Sequence, residues 1–213
     1  MLKAKHFFAL LVLAAALVVF AAYSLKQGET IPQSGDALFP GLLERIPEVE
    51  RVDVVSEGQS FQLRNSGDGL WIAPERGGFA LNADKVHQLL VGAAGLRRIE
   101  PKTSKPELYA RLGVEDPSSP DSASIRYTLR AESGDALADI IVGEGKPAKG
   151  DATATEYFVR EPDDAQSWLV KGTLPSGVET LPDWLSSRVA SVSADRTRQV
   201  RLTHPDGEVV TAA

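Results

Sequence analysis

Polar and apolar side chains alternate along most of this chain, in short runs set apart by turn residues. Val49 to Ser56 and Ser60 to Arg64 flank Glu57-Gly58. In the second run Phe61 and Leu63 share one side while Gln62 and Arg64 share the other, the period of a half-buried strand. Ser66-Gly67-Asp68-Gly69 is a turn rich in residues that tolerate positive φ, and Leu70 to Ala73 reads as a third strand. The period then changes. Asn82 is a helix N-cap, and Val86, Leu89, Leu90 and Ala93 follow at i, i+3, i+4 and i+7, with Gly95 as a stop. A strand from Arg97 to Pro101 leads to a short helix from Pro106 to Leu112, with Gly113 at its left-handed end.

Strands resume at Ile125 to Ala131 and Leu137 to Val142, and again at Glu156 to Arg160 and Ser167 to Val170. Gly143 to Thr155 reads as a loop. A last amphipathic helix is predicted over Pro182 to Val189, burying Trp184, Leu185 and Val189. Gln199 to Thr203, a His-Pro-Asp-Gly turn, and Glu208 to Thr211 repeat the strand–turn–strand pattern of Val52 to Leu63. That hairpin either opens a second, truncated copy of the first repeat or pairs back onto the first sheet; a hairpin alone would expose its apolar side. Strand clusters interrupted by helices, without βαβ alternation, place the fold in the α+β class, built of antiparallel meanders with a few short packed helices.

The N-terminus follows a different pattern. Phe7 to Tyr23 holds seventeen residues with no charged or amide side chain. Extended to Leu25, the run makes roughly 28 Å of helix, close to the ~30 Å of a bilayer core. It exceeds the apolar region of a cleaved signal peptide, so an uncleaved single-pass anchor is favoured over a cleavable leader. Lys3 and Lys5 precede it, which orients the N-terminus to the cytoplasm and exports the rest. The domains read as 1–25 anchor, 26–37 flexible tether, 38–117 first α+β unit and 118–213 second unit ending in the repeat hairpin.

Composition removes several function classes. The 23 Lys and Arg against 29 Asp and Glu give a net charge of −6, which argues against a nucleic-acid partner. The absence of cysteine excludes thiol nucleophiles, disulfides and Cys-ligated zinc. His6, His87 and His204 have no ligand partners at metal spacing, and neither a phosphate-binding loop nor a GxSxG elbow is present. No catalytic, cofactor-binding or metal residues are assigned. Glu115-Asp116 and Asp163-Asp164 flank prolines and read as solvated turns. A glycosidase-type carboxylate pair stays open at low weight. Trp71, Trp168 and Trp184 read first as core fillers and second as a sugar-stacking platform.

One stretch is denser than structure requires. Glu100 to Pro117, EPKTSKPELYARLGVEDP, reads as a strand, a Thr/Ser cap, a helix with Leu108, Tyr109 and Leu112 facing in, and a glycine stop. Together with LFPGL at Leu38 to Leu42, WLVKG at Trp168 to Gly172 and DWLSSRV at Asp183 to Val189, it resembles the domain of unknown function 4340 family over nearly the whole chain. The resemblance implies a bacterial envelope protein with one N-terminal membrane helix, found beside ABC-type export components of the gliding-motility class, and no established catalytic residues. Lys102, Thr103, Leu108, Tyr109, Leu112 and Gly113 carry the motif as structural or partner-contact positions. The expected function is a non-enzymatic accessory protein of the inner membrane, its domain periplasmic and its partners proteins of an ABC-type complex. The alternative is a periplasmic module for an envelope glycan or peptide.

Overall fold

The alternating runs assemble into one antiparallel sheet of nine strands in a computed structural model that describes residues 34–67, 69–118, 121–148, 153–187, 199–203 and 207–212. The strands are β1 (Val49–Ser56), β2 (Gln59–Asn65), β3 (Trp71–Ala73), β4 (Phe79–Ala80), β5 (Arg97–Pro101), β6 (Ile125–Ala131), β7 (Ala136–Pro147), β8 (Thr155–Arg160) and β9 (Ser167–Gly172). Their order across the sheet is β4-β3-β2-β1-β6-β7-β8-β9-β5. Strands of 38–117 and of 118–213 therefore share one sheet, with β1 paired to β6 and β5 closing the far side on β9. The Glu57-Gly58 turn has both residues at positive φ, 50° and 71°, the geometry that matches the twist of a two-residue hairpin.

Register turns the sequence alternation into two faces. Val52, Leu63 and Leu129 lie side by side on the core face, and Val54, Phe61, Tyr127 and Ile140 form the next row. Helix α1 is Leu42–Arg45 and helix α2 is Ala83–Gly95. The Asn82 side chain caps α2 by accepting from the Asp84 and Lys85 amides, and Val86, Leu89, Leu90 and Ala93 are buried against this face. Removing one such leucine to alanine costs ~2–5 kcal/mol in a packed core. Gly92 lets the helix come close: a Cβ there would stand 2.2 Å from the Thr173 carbonyl oxygen.

Both sheet edges are covered, which blocks open-ended pairing with other chains. On the β5 edge Gly35 and Leu38 donate to the carbonyls of Arg98 and Leu96, and Arg98 donates back to Asp36. Ser34 to Ala37, expected as the end of the tether, are thus packed on the sheet. Arg98 locks them there: its guanidinium donates to the carbonyls of Ala37 and Leu38 and to Glu161 while lying over the Trp168 ring. On the β4 edge Asn82 donates to Trp184 and Ser186 to Ala80, with Leu81 and Leu185 bridged.

Two expectations are corrected. Gly143 to Pro147 continue β7 as strand rather than opening a loop, because Gly145, Lys146 and Pro147 pair with Tyr157, Glu156 and Thr155 beyond a bulge. The last helix, α3, is one turn, Leu181–Trp184, held by a Thr180–Asp183 capping box. It stops at Leu185 because that residue extends to bridge Leu81; Val189 lies outside the described residues. Of the two readings of the final hairpin, pairing back onto the first sheet is not what forms: β10 (Val200–Thr203) and β11 (Val209–Ala212) make a two-stranded sheet of their own, and Val209 and Val210 are exposed. The apolar run Phe7 to Tyr23 lies outside the described residues; among them no helix is long and apolar enough to cross a membrane.

Candidate functional site

After β5 the chain leaves one edge of the sheet and returns as β6 in its middle, so it must cross β9, β8 and β7. It does so on the back face, opposite α2, and the crossing segment is the 100–117 motif. Its departure is pinned by four hydrogen bonds between two residues and their neighbours. The Lys102 amide donates to the Ser167 carbonyl and the Ser167 amide to Thr103, while the Ser167 hydroxyl and the Thr103 amide complete the pair. Thr103 does not cap the following helix. Its hydroxyl accepts from the Lys105 amide in a tight turn, and Lys105 occupies the cap position of a 3-10 helix over Pro106–Arg111.

Tyr109 is the anchor. It is buried with Val114 and Ile141 in a small second core that Leu112 and Phe158 complete. The phenol donates to the Ala165 carbonyl at 2.6 Å, and the Arg160 guanidinium stacks over the ring at 4.6 Å. Arg160 in turn donates to the carbonyls of Val114 and Pro162, so one arginine ties the strap to β8 and to the β8–β9 turn. Gly113 ends the helix at φ 63°, in the left-handed region. Gly143 on β7 lies directly beneath, where a Cβ would come within 2.3 Å of the Leu112 oxygen and 2.4 Å of the Gly113 oxygen.

The six motif positions therefore divide. Tyr109 and Gly113 seat the strap on the sheet. Lys102, Thr103 and Leu108, with Arg111 and the Leu112 that also packs on the second core, line a shallow cavity of about 310 Å³. Lys102 is ion-paired with Glu100, whose carboxyl it holds below the usual range through a hydrogen bond and its charge. Lys102 and Lys146 both approach the Phe158 ring, at 5.7 and 5.6 Å, and Lys146 pairs with Glu156 at 3.4 Å.

Beside the strap, the back face of β1, β6 and the start of β7 carries a grid of partly exposed charge. Gln62, Asp53, Thr128 and Asp139 stand in one row across four strands. Asp53 pairs with Arg130 at 2.7 Å and with Arg51 at 3.0 Å. Asp139 receives both Nε and Nη2 of Arg126, at 2.9 and 2.7 Å, and the Thr128 hydroxyl. Bidentate pairing of this kind fixes orientation as well as charge. These residues were not singled out from sequence; Arg126, Thr128 and Arg130 at two-residue spacing were the available signal.

The tryptophan platform does not exist. Trp71, Trp168 and Trp184 are 8%, 7% and 0% exposed, all three in the main core. Their ring volume is spent on packing: Trp184 meets Tyr127 edge-on at 6.4 Å, and its indole N–H donates to Val178. His87 is exposed on α2, and among the described residues no group of three His, Asp or Glu side chains is arranged to hold a metal ion.

The sequence model of the family described as domain of unknown function (DUF4340) matches residues 71–213. The chain belongs to the DUF4340 family. The match takes in the strap, the segment Trp168 to Gly172 and the β10–β11 hairpin, whereas Leu38 to Leu42 and the first two strands precede it. No curated protein and no solved structure matches the chain.

Proposed function

We propose that this DUF4340 protein is a non-enzymatic, membrane-anchored accessory of a bacterial ABC-type export or gliding-motility-like complex. Phe7 to Tyr23 is its single inner-membrane span, and the sheet domain stands in the periplasm and binds protein partners. The observation that carries the reading is the division of the back face. The strap crosses β9, β8 and β7, while on β1, β6 and the start of β7 Arg51, Asp53, Arg126, Arg130 and Asp139 form ion pairs whose side chains stay about a quarter to a third exposed.

Such a surface suits protein recognition. Its charges are already oriented by one another, so little side-chain freedom is lost on docking. Its carboxylates are committed to guanidinium groups, which makes Asp53 and Asp139 poor candidates for general acid or base. The clamp of Ser34 to Leu38 on β5 by Arg98 supports the anchored arrangement, since a pull on the tether is passed to the sheet through a half-buried ion pair and paired backbone.

Affinity purification from membranes in mild detergent tests the proposal, with the full chain beside a form lacking 1–25. Recovery of a permease or ATPase subunit with the full chain is expected. Failure of the full chain to retain any subunit of an ABC-type complex overturns it.

A further inference from the structure

A second concave site lies on the other face, away from the strap. After β9 the chain crosses residues 174–179 over the ends of β6, β7 and β8 on the core side, enclosing a cavity of about 340 Å³. That volume is within the range of small-molecule pockets. Ile125, Val142, Leu174 and Val178 give it apolar walls. Gly145 opens it further, because a Cβ there would press to 2.9 Å on the Tyr157 ring.

The polar side chains that line it are the hydroxyls of Tyr127, Thr155, Tyr157 and Ser176 and the carboxyl of Glu179. The Tyr157 oxygen accepts from the Leu174 amide at 3.2 Å, leaving its own proton to donate. Tyr127 is only 3% exposed, and among the described residues its hydroxyl has no hydrogen-bond partner. Tyr127 is one of the residues that line the cavity, and its oxygen is not among the sealed, unpaired atoms of the described interior. Burial pushes the phenol well up from its ordinary value, with the nearby Glu179 charge and Tyr157 adding to the rise. The hydroxyl is therefore a proton donor throughout the neutral range. Among the lining residues Glu179 is the one acidic side chain, and it is exposed.

An apolar chamber with donor hydroxyls and one exposed carboxylate among its lining residues repels anions. It satisfies a ligand that offers an acceptor oxygen to the phenols and a positive charge to the carboxylate. We infer that this cavity binds a small organic ammonium compound whose acceptor oxygen takes the Tyr127 hydroxyl. The inference concerns the opposite face from the charged grid and does not depend on the accessory reading.

Three leucine derivatives of different charge test it on the full chain in detergent, by titration calorimetry: L-leucinamide, N-acetyl-L-leucinamide and N-acetyl-L-leucine. The expected order of affinity is cation, then neutral amide, then anion. Tyr127→Phe is expected to weaken leucinamide about tenfold, the loss of one buried hydrogen bond. It should leave the melting temperature near wild type, since no protein partner is lost. Glu179→Gln, at an exposed position, is expected to erase the preference for the cation over the neutral amide. Leucinamide binding no tighter than the anion, or unchanged in Tyr127→Phe, overturns the inference.

Discussion

Gly143→Ala is the sharpest test of how the strap is seated. Gly143 is not among the glycines at positive φ, so alanine adds no left-handed strain, and the destabilisation comes from contact. The new methyl would lie 2.3 Å from the Leu112 oxygen, 2.4 Å from the Gly113 oxygen and 2.7 Å from the Gly113 carbonyl carbon. All three are backbone atoms, so no side-chain rotation relieves them, and strap and strand must separate by roughly 1 Å to restore ordinary contact. Overpacking of this size costs ~1–3 kcal/mol. For a domain of this length that lowers the melting temperature by roughly 2–12 °C. The displacement also loosens the Glu144 amide from Leu112 and the seat of Tyr109 and Val114. Hydrogen exchange should then show faster exchange at the Leu112, Gly113 and Val114 amides while β1 and β6 stay protected. In a double-mutant cycle Tyr109→Ala removes the anchor, so adding Gly143→Ala to it should cost clearly less than in the wild type. An unchanged melting temperature in Gly143→Ala, or full additivity with Tyr109→Ala, would refute the seating of the strap on β7.

Other expectations follow from the same geometry. Gly92→Ala places a methyl against the Thr173 carbonyl and should destabilise by ~1–3 kcal/mol despite alanine's higher helix propensity, whereas Gly95→Ala meets nothing within 4 Å and should stabilise by about 0.5 kcal/mol in thermal melts. Asp183 accepts from the Thr180 hydroxyl and amide and Asp116 from the Ser118 hydroxyl and amide, so both carboxyls are held below their ordinary range. Their folded pKa values lie below the unfolded ~3.9, so their stabilisation is present above that value and lost as pH falls through the lower folded ones. The stability difference between wild type and Asp183→Asn should accordingly shrink as melts are moved from pH 6 toward pH 3. Arg98→Met leaves Glu161 and the Ala37 and Leu38 carbonyls without their donor; a loss of about 2–4 kcal/mol is expected, with early proteolytic cleavage near Ser34 to Leu38.

Much of the fold is legible where one physical signal acts alone. β1 and β2 alternate cleanly because one face is buried and the other is wet, and the Asn82 cap and the α2 stripe are local features. Legibility fails where tertiary context supplies the partner. β8 and β9 lose their alternation because the strap covers their second face, burying Leu169 as well as Val170. Gly143 to Pro147 carries loop composition, yet it is strand because Gly145, Lys146 and Pro147 pair with β8, while Gly143 leaves room for Leu112 and Gly113. The Leu181–Trp184 turn ends early because the β4 edge needs a cover. The motif around Tyr109 stood out in the sequence, but its reason did not. Its partners Ser167, Arg160 and Ala165 lie more than fifty positions away and become neighbours only when β8 and β9 are laid beside β5. The charged grid was hidden likewise, since Asp53 meets Arg130 across a strand pair that sequence spacing does not reveal.

The most direct test of the accessory role is site-specific photo-crosslinking in intact membranes. A photoreactive side chain at Arg64, exposed on the back face, is compared with one at His87, exposed on α2. An adduct between position 64 and a subunit of an ABC-type complex, absent from position 87, is the predicted result. No such adduct at position 64, or equal adducts from both positions, would contradict a partner held on the charged grid.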